Sequence, residues 1–400
     1  MINGIKTVGV LGLGVMGFDI AFLYAQKGYR TLVYDASDAA MKNVAVRRDQ
    51  TIERLKRRNR ISEAEAESTR NGLIPVPALA QMAGADLVTE AVSESGKIKK
   101  SVYKALRDGG FTGILTTNTS SLTRASLVGE SDNPKDKFAT THFFNPVLYT
   151  RMVEVVKGDM DDSSYGTLMS FLIDLGRKPV ETKDISGFVS NSVLMIYAVM
   201  ALRLLEAGAS IEAVDGAAKE LRALPPLFSF DSWKPSIVED VTQVMFEFRG
   251  DDFLRSSKLL AALAKGNPLF YVDQKPNAAI YGMIENRGGA LEASIVPVAL
   301  ATSVRIAAVR TVELGEGPAM VDFISTEGLK FPRGPLAEID EFGAATVLKD
   351  LQRVNGTIQN GMKAPELLRA MADEKQKFYK DGRVNPWVAA FVERRVHARH

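Results

Sequence analysis

Val8-Gly9-Val10-Leu11-Gly12-Leu13-Gly14-Val15-Met16-Gly17 decides the fold of the N-terminal part of this chain. A short β-branched run ends in a glycine-rich turn, and the turn opens an apolar helical pattern that continues through Ala25. Strand, G-x-G-x-x-G turn and helix in that order form the cradle for the pyrophosphate of a dinucleotide. Gly12 permits the tight turn, Gly14 lets the pyrophosphate approach the backbone, and Gly17 lets helix and strand pack closely. The N–H groups and the dipole of the helix N-terminus then face the phosphates. A second strand is expected over Thr31 to Tyr34, and Asp35 closes it, 23 residues after Gly12. A carboxylate there can accept from both ribose hydroxyls of NAD and would repel the 2′-phosphate of NADP.

Outward from this motif, β-branched runs alternate with helical patterns, the signature of a parallel sheet. Further strands are expected at Asp86 to Thr89, Ile114 to Thr117, Phe138 to His142 and Met152 to Val156. A polar helical hairpin is inserted before Asp86, and Ser62-Glu63-Ala64-Glu65 has the capping-box pattern for the start of its second helix. Lys183 to Gly187 reads as a linker, after which the pattern is helical, beginning with an apolar core helix over Phe188 to Leu205. The helical half carries a degenerate repeat. Leu205-Glu206-Ala207-Gly208 precedes Ala213-Val214-Asp215, and Val312-Glu313-Leu314-Gly315 precedes Met320-Val321-Asp322 at the same internal spacing. Each copy continues with a proline turn and an acidic apolar segment, Leu224-Pro225-Pro226 with Phe230-Asp231 and Phe331-Pro332 with Ile339-Asp340. Pro268 to Pro276 reads as the connection between copies. The expected fold is therefore an α/β Rossmann dinucleotide-binding domain over residues 1–185, followed by an all-α, duplicated C-terminal region divided into 186–280 and 281–400.

The bulk composition narrows the function. A chain of 400 residues suits two or three domains, and a formal net charge of +2 makes no case for a nucleic-acid protein. There is no cysteine, which excludes disulfides, zinc–thiolate sites and thiol nucleophiles. No run of about 20 apolar residues is apparent, so no membrane span is expected. The first strand begins near Lys6, which leaves no room for a targeting segment, and a cytoplasmic setting is expected.

His142 is the only histidine before the last four residues, which contain His397 and His400. An imidazole is well tuned to take the hydroxyl proton as a hydride leaves the same carbon. Glu154 lies on the next expected strand, where its carboxylate can fix the imidazole tautomer. Asn118-Thr119-Ser120-Ser121 follows another strand, at the end of the sheet where ligands bind. A basic stretch containing Arg47, Arg48, Arg54, Lys56, Arg57, Arg58 and Arg60 is either a solvated helix or a dock for a phosphorylated handle such as coenzyme A.

Taken together, the chain resembles the L-3-hydroxyacyl-CoA dehydrogenase family. The matching segments are the Gly12 to Gly17 turn with Asp35, Glu90-Ala91-Val92-Ser93-Glu94, Asn118-Thr119-Ser120-Ser121-Leu122, His142-Phe143-Phe144-Asn145-Pro146, Glu154 and Gly187-Phe188-Val189-Ser190-Asn191. The duplicated helical half is similar to the dehydrogenase portion of multifunctional fatty-acid oxidation proteins. The resemblance implies NAD-dependent oxidation of an acyl-CoA substrate, with His142 as base and Glu154 as its partner. It implies that Ser121 and Asn191 meet the substrate, and that Glu94, Lys99, Ser121, Asn145 and the loop residue Met16 lie on the cofactor side. No metal is required. Family members with one helical copy resemble dimers joined through that domain, so a chain with two copies is expected as a monomer with an internal pseudo-dimer, or as a homodimer. The chain departs from the family at Leu224-Pro225-Pro226-Leu227-Phe228 and Asn267-Pro268-Leu269-Phe270-Tyr271, which puts the acyl preference in doubt. Two other readings stay open: a dehydrogenase of a free hydroxy acid or hydroxy-amine, and a non-catalytic NAD-binding protein.

Overall fold

Thr7–Leu11 is the central strand β1 of a parallel sheet and is buried along nearly all its length, as a strand covered on both faces must be. The computed structural model describes residues 4–128, 135–285, 287–289 and 291–397, so His400 lies outside the described residues. The chain divides into two compact units, Met1–Asp184 and Ile185–His400.

In the first unit, β1 is followed by α1 (Val15–Gln26), β2 (Arg30–Tyr34), α2 (Asp38–Lys42), α3 (Val44–Lys56), α4 (Glu63–Gly72) and β3 (Leu73–Pro75). Then come β4 (Leu87–Glu90), α5 (Gly96–Asp108), β5 (Ile114–Thr117), α6 (Arg124–Val128), β6 (Phe138–Phe143), β7 (Met152–Val156), α7 (Asp162–Asp174) and β8 (Lys178–Glu181). The strand order is β3-β2-β1-β4-β5-β6-β7-β8. Every pairing is parallel except β6 with β7, which are antiparallel. The order reverses between β2-β1 and β4, which opens a crevice at the carboxyl ends of the strands. The expected hairpin is α3 and α4, and Ser62 and Glu65 form the full reciprocal capping box.

Two strands of this sheet were not expected from sequence, β3 and β8. Both contain a proline, Pro75 and Pro179, and they form the two edges of the sheet, where the missing N–H costs no ladder bond. The core occupies both faces of the sheet. Tyr24 on α1 is tied to the strands through a buried hydroxyl chain, 2.9 Å to Thr89 Oγ1 on β4 and a further 2.9 Å from there to Thr116 Oγ1 on β5.

The second unit begins with α8 (Ser190–Glu206), α9 (Ile211–Glu220), α10 (Pro226–Trp233), α11 (Pro235–Arg249), α12 (Lys258–Gly266) and the hairpin β9 (Tyr271–Val272) and β10 (Lys275–Pro276). It continues with α13 (Ile295–Glu313), α14 (Pro318–Phe323), α15 (Pro335–Phe342), α16 (Ala344–Asn355), α17 (Glu366–Asp373), the hairpin β11 (Tyr379–Lys380) and β12 (Arg383–Val384), and α18 (Pro386–His397). The sequence repeat reappears as a repeated set of hydrogen bonds. Asp215 accepts from the backbone N–H groups of Leu227 and Phe228 and from the Tyr271 hydroxyl. Asp322 accepts from the N–H groups of Leu336 and Ala337 and from the Tyr379 hydroxyl. Asp231 receives the N–H groups of Phe270 and Tyr271, and Asp340 those of Phe378 and Tyr379. The four acidic residues picked out by spacing each bind a helix start or a hairpin within their own copy.

Two expectations are corrected here. The stretch from Pro268 to Pro276 is not the connection between copies but the closing hairpin of the first, turning through Asp273 and Gln274 at positive φ of 48° and 62°. Its counterpart is the β11–β12 hairpin, so the connection falls later, before α13. A long apolar helix also exists after all: α13, with 19 residues, could cross a membrane by length and composition. It is 72% buried and packs along α8, and its Arg305 and Arg310 are paired with Glu338 and Asp251, so it serves as a core helix of this unit.

Candidate active site

The glycine turn is built as its spacing requires. Gly12 sits at φ +85°, and a Cβ there would lie 2.6 Å from the Ala91 carbonyl oxygen. A Cβ on Gly17 would collide with the Gly12 carbonyl, whereas one on Gly14 would meet nothing within 4 Å. The two glycines that face protein are therefore sterically obligatory, and the third faces open space. That open space adjoins the N-terminus of α1, whose cap position makes no side-chain hydrogen bond and whose first turn has no acidic residue. A dinucleotide pyrophosphate fits this cradle by its charge and by its need for backbone N–H donors. Met16, half-buried, is in the first turn of the helix.

Asp35 follows β2 and braces the same turn. Its Oδ2 accepts from Leu13 N at 2.6 Å and its Oδ1 from Ser37 N at 2.8 Å. Each carboxylate oxygen keeps a second lone pair, enough for ribose hydroxyls. Asp35→Ala is expected to raise the Kd for NAD by about tenfold or more, the effect of losing charge-assisted bonds, and to narrow the preference over NADP. Competitive titration with both nucleotides measures this, and a wild-type protein that prefers NADP overturns the assignment.

Arg47 was expected on a CoA-facing surface, but it lies against the glycine turn. It donates to the Leu13 carbonyl at 2.5 Å and the Gly14 carbonyl at 3.1 Å, and its guanidinium stands 4.0 Å over the Phe18 ring. Arg48 is engaged within the hairpin, donating to Asp49 and to the Arg70 carbonyl. Arg54 lies within the electrostatic reach of the Asp19 carboxyl, which burial holds above the usual carboxylate range despite Arg54 and Arg47.

A second group of side chains gathers at the carboxyl ends of β4 and β5. Glu90, fully buried at the end of β4, accepts from Lys99 Nζ and Val92 N at 2.7 Å each through Oε1. Through Oε2 it accepts from the Tyr103 hydroxyl at 2.6 Å and the Thr117 hydroxyl at 2.8 Å. Lys99, also fully buried, lies 3.4 Å from Glu94 Oε2. Glu94 Oε1 accepts from the Thr119 hydroxyl, Ser120 N, Ser121 N and the Ser121 hydroxyl, the last at 2.9 Å. Burial pushes the Glu94 carboxyl up, but Lys99 and these hydrogen bonds outweigh it and hold it below the ordinary range. Burial likewise disfavours the Lys99 ammonium, and the two glutamates more than restore it. Glu94, Lys99 and Ser121, singled out by resemblance, thus belong to one network, and its hub is the Glu90 carboxylate. Glu90 was visible in sequence only as part of a matching segment, since a carboxylate ending a strand otherwise reads as solvated.

The imidazole comes next along the sheet. Asn118 Oδ1 accepts from Phe143 N at 3.0 Å, which ties the end of β5 to the end of β6 beside His142. His142 and Glu154 are direct partners in the antiparallel register of β6 and β7. Partners on one rung share a face with their Cβ atoms close together. His142 Nδ1 is 2.9 Å from Glu154 Oε2, with His142 7% exposed and Glu154 fully buried. The pairing arises from a ladder rung rather than from two neighbouring strand ends. Asn145 is exposed just beyond β6, ahead of the cis Asn145–Pro146 bond. Asn191 belongs to the other unit, buried in the first turn of α8.

A dinucleotide cradle and a carboxylate-braced imidazole thus stand at the same end of one sheet. The family model for the 3-hydroxyacyl-CoA dehydrogenase NAD binding domain matches residues 7–185, and that for the C-terminal domain of the same enzymes matches 187–271. The chain belongs to the 3-hydroxyacyl-CoA dehydrogenase family. It is 34% identical to 3-hydroxyadipyl-CoA dehydrogenase of Escherichia coli over 228 residues, 56% of this chain and 48% of that protein. It is 32% identical to the mitochondrial hydroxyacyl-coenzyme A dehydrogenase of Rattus norvegicus over 224 residues, 54% of this chain and 71% of that one. The chain thus spans about half the length of the first relative and more of the second. The crystal structure of 3-hydroxybutyryl-CoA dehydrogenase from Escherichia coli K12 shares the fold at a TM-score of 0.74 and 22% identity, over 93% of this chain and all of that one.

Proposed function

We propose that this protein oxidises an L-3-hydroxyacyl-CoA to the 3-ketoacyl-CoA with NAD as hydride acceptor. The observation that carries the reading is the buried His142–Glu154 pair, on the same sheet and at the same end as the glycine cradle. NAD, held by the Gly12–Gly17 turn and Asp35, would supply the hydride acceptor for the oxidation. His142 takes the hydroxyl proton: Glu154 holds the Nδ1 side of the ring, which directs Nε2 to the substrate, and the carboxylate offsets the charge of the imidazolium as it forms. Ser121 aligns the hydroxyl or thioester oxygen, and Asn145 serves the cofactor; a substrate role for Asn191 is implied by the resemblance alone. Positioning of this kind can lower a barrier by several kcal/mol. The reaction belongs, in this reading, to acyl-chain oxidation in the cytoplasm. An absorbance assay at the NADH band with acetoacetyl-CoA tests it, and absence of turnover with CoA esters of every length refutes it.

The CoA handle is assigned to the basic helix α3. With Arg47 on the glycine turn and Arg48 held within the hairpin, Arg54 becomes its main contact. Arg54→Ala is expected to raise KM for CoA esters several-fold while leaving short pantetheine thioesters unchanged, and Arg47→Ala to weaken NAD binding instead. Equal effects of Arg54→Ala on both thioester classes would favour a free hydroxy acid as substrate.

The helical unit is proposed to act as two domains, about 186–280 and 281–400. At the repeat spacing, the residues opposite Ser190, Asn191 and Ser192 are Pro297, Val298 and Ala299. Only the first copy therefore offers polar side chains at the start of its long helix, and the second serves as a brace.

A further inference from the structure

The buried charges beside Ser121 do not cancel. Lys99 lies 2.7 Å from Glu90 and 3.4 Å from Glu94, so its ammonium is matched first by Glu90. Glu90 and Lys99 are fully buried, whereas the Glu94 side chain keeps 19% of its surface exposed. The three ionised groups sum to one negative charge, and Glu94 is the member nearest solvent. Hydrogen bonds from Thr119, Ser120 and Ser121 hold the Glu94 carboxylate in one place.

The topology fixes what this charge faces. The glycine turn follows β1 and His142 is the next-to-last residue of β6, with β4 and β5 between them. At a strand spacing of about 4.8 Å, three steps separate the pyrophosphate cradle from the base by roughly 14 Å. A dinucleotide that starts on the cradle and delivers its ring to a carbon beside His142 must cross the ends of β4 and β5. Glu94 and Ser121 lie in the loops that leave those ends. Nicotinamide carries a positive charge when oxidised and none when reduced, so a fixed negative charge beside it acts on one redox form alone.

We propose that the excess negative charge of the Glu90–Lys99–Glu94 cluster, in which one ammonium serves two carboxylates, lets Glu94 make this site discriminate between the two redox states of its cofactor by favouring the positively charged ring. Glu94 acts here as a specificity determinant toward the cofactor, and Glu90 as the residue that sets its net charge. The inference rests on the dehydrogenase reading for the direction in which the cofactor lies. It goes beyond that reading, because a base, a cradle and a ribose-binding aspartate would serve either form equally.

The test is the ratio of dissociation constants for NADH and NAD, measured without substrate by titrating NADH fluorescence and displacing it with NAD. Loss of one charge at this range in a partly screened site shifts the ratio on the order of tenfold. Glu94→Gln should weaken NAD by about that factor and leave NADH unchanged or slightly tighter. Glu90→Gln leaves every bond from Glu94 to Ser120 and Ser121 in place but releases Lys99 to compensate Glu94, so it should move the ratio in the same direction. A purely structural role would weaken both nucleotides alike. An unchanged ratio in either variant overturns the proposal, as does a Glu94 variant that loses both nucleotides together, because a charge acting on the ring leaves the reduced form bound. A wild-type protein that binds neither nucleotide would refute the dehydrogenase reading itself.

Discussion

His142→Gln is expected to lower kcat by about 10²- to 10⁴-fold, the usual contribution of a positioned general base, with NAD binding nearly unchanged. The two effects separate because the imidazole is near the end of β6 whereas the cradle follows β1, three places away in the sheet. Glutamine retains a hydrogen-bonding group at that position but cannot take a proton. Glu154→Gln should cost less. A neutral amide still holds the ring at the ladder rung, but it no longer offsets the charge that forms on the imidazole as it takes the proton, so kcat falls while the ring stays in place. Steady-state kinetics across pH, with nucleotide binding measured separately, reads both effects. A His142→Gln protein that turns over near the wild-type rate removes the imidazole from the chemistry.

How far these features were legible in the sequence depends on how local their physics is. The cradle was legible because each glycine answers a local steric demand. Gly12 needs positive φ, Gly17 has no room for a Cβ, and all three fall within one turn of chain. The His142–Glu154 pair was legible as two residues on successive strands, although the antiparallel rung that joins them depends on the direction of β7. The fate of the arginines was not legible. Arg47 and Arg54 are the same residue type on the same helix. One meets the Leu13 and Gly14 carbonyls and the other the field of Asp19, and only the packing of α3 against α1 distinguishes them. Glu90 was hidden for a similar reason, since its four donors come from β5, α5 and the turn after β4. The repeat was legible where an aspartate caps a helix, because Asp215 and Asp322 recur with the spacing of the elements they hold. The closing hairpin was missed because Leu269-Phe270-Tyr271 and Lys377-Phe378-Tyr379 share too few residues to be noticed before their hydrogen bonds are seen.

Truncation before Gly289 is expected to produce a protein that aggregates or pairs with another copy of itself. The helix lost would be α13, which packs along α8, and α8 is buried on nearly every face in the intact unit. Among the side chains removed, Ile295, Val296, Leu300, Ile306, Val309 and Val312 are almost fully buried. Full burial of each such side chain is worth roughly 1.5–3 kcal/mol, so the loss approaches the whole stability of an ordinary domain, about 5–15 kcal/mol. The polar seam is lost as well. Arg310 pairs with Asp251 and Lys363 with Asp252, and the Tyr197 ring packs edge-on against Phe331. The remaining first copy would expose a contiguous apolar face along α8, of the kind that marks an association surface. The repeat offers one specific way to cover it: a second truncated chain could take the place of α13, turning an internal pseudo-symmetric contact into an isologous one between chains. Size-exclusion chromatography with light scattering, run beside the activity assay, distinguishes the outcomes. A soluble, monomeric and fully active truncated protein would show that the second copy braces nothing.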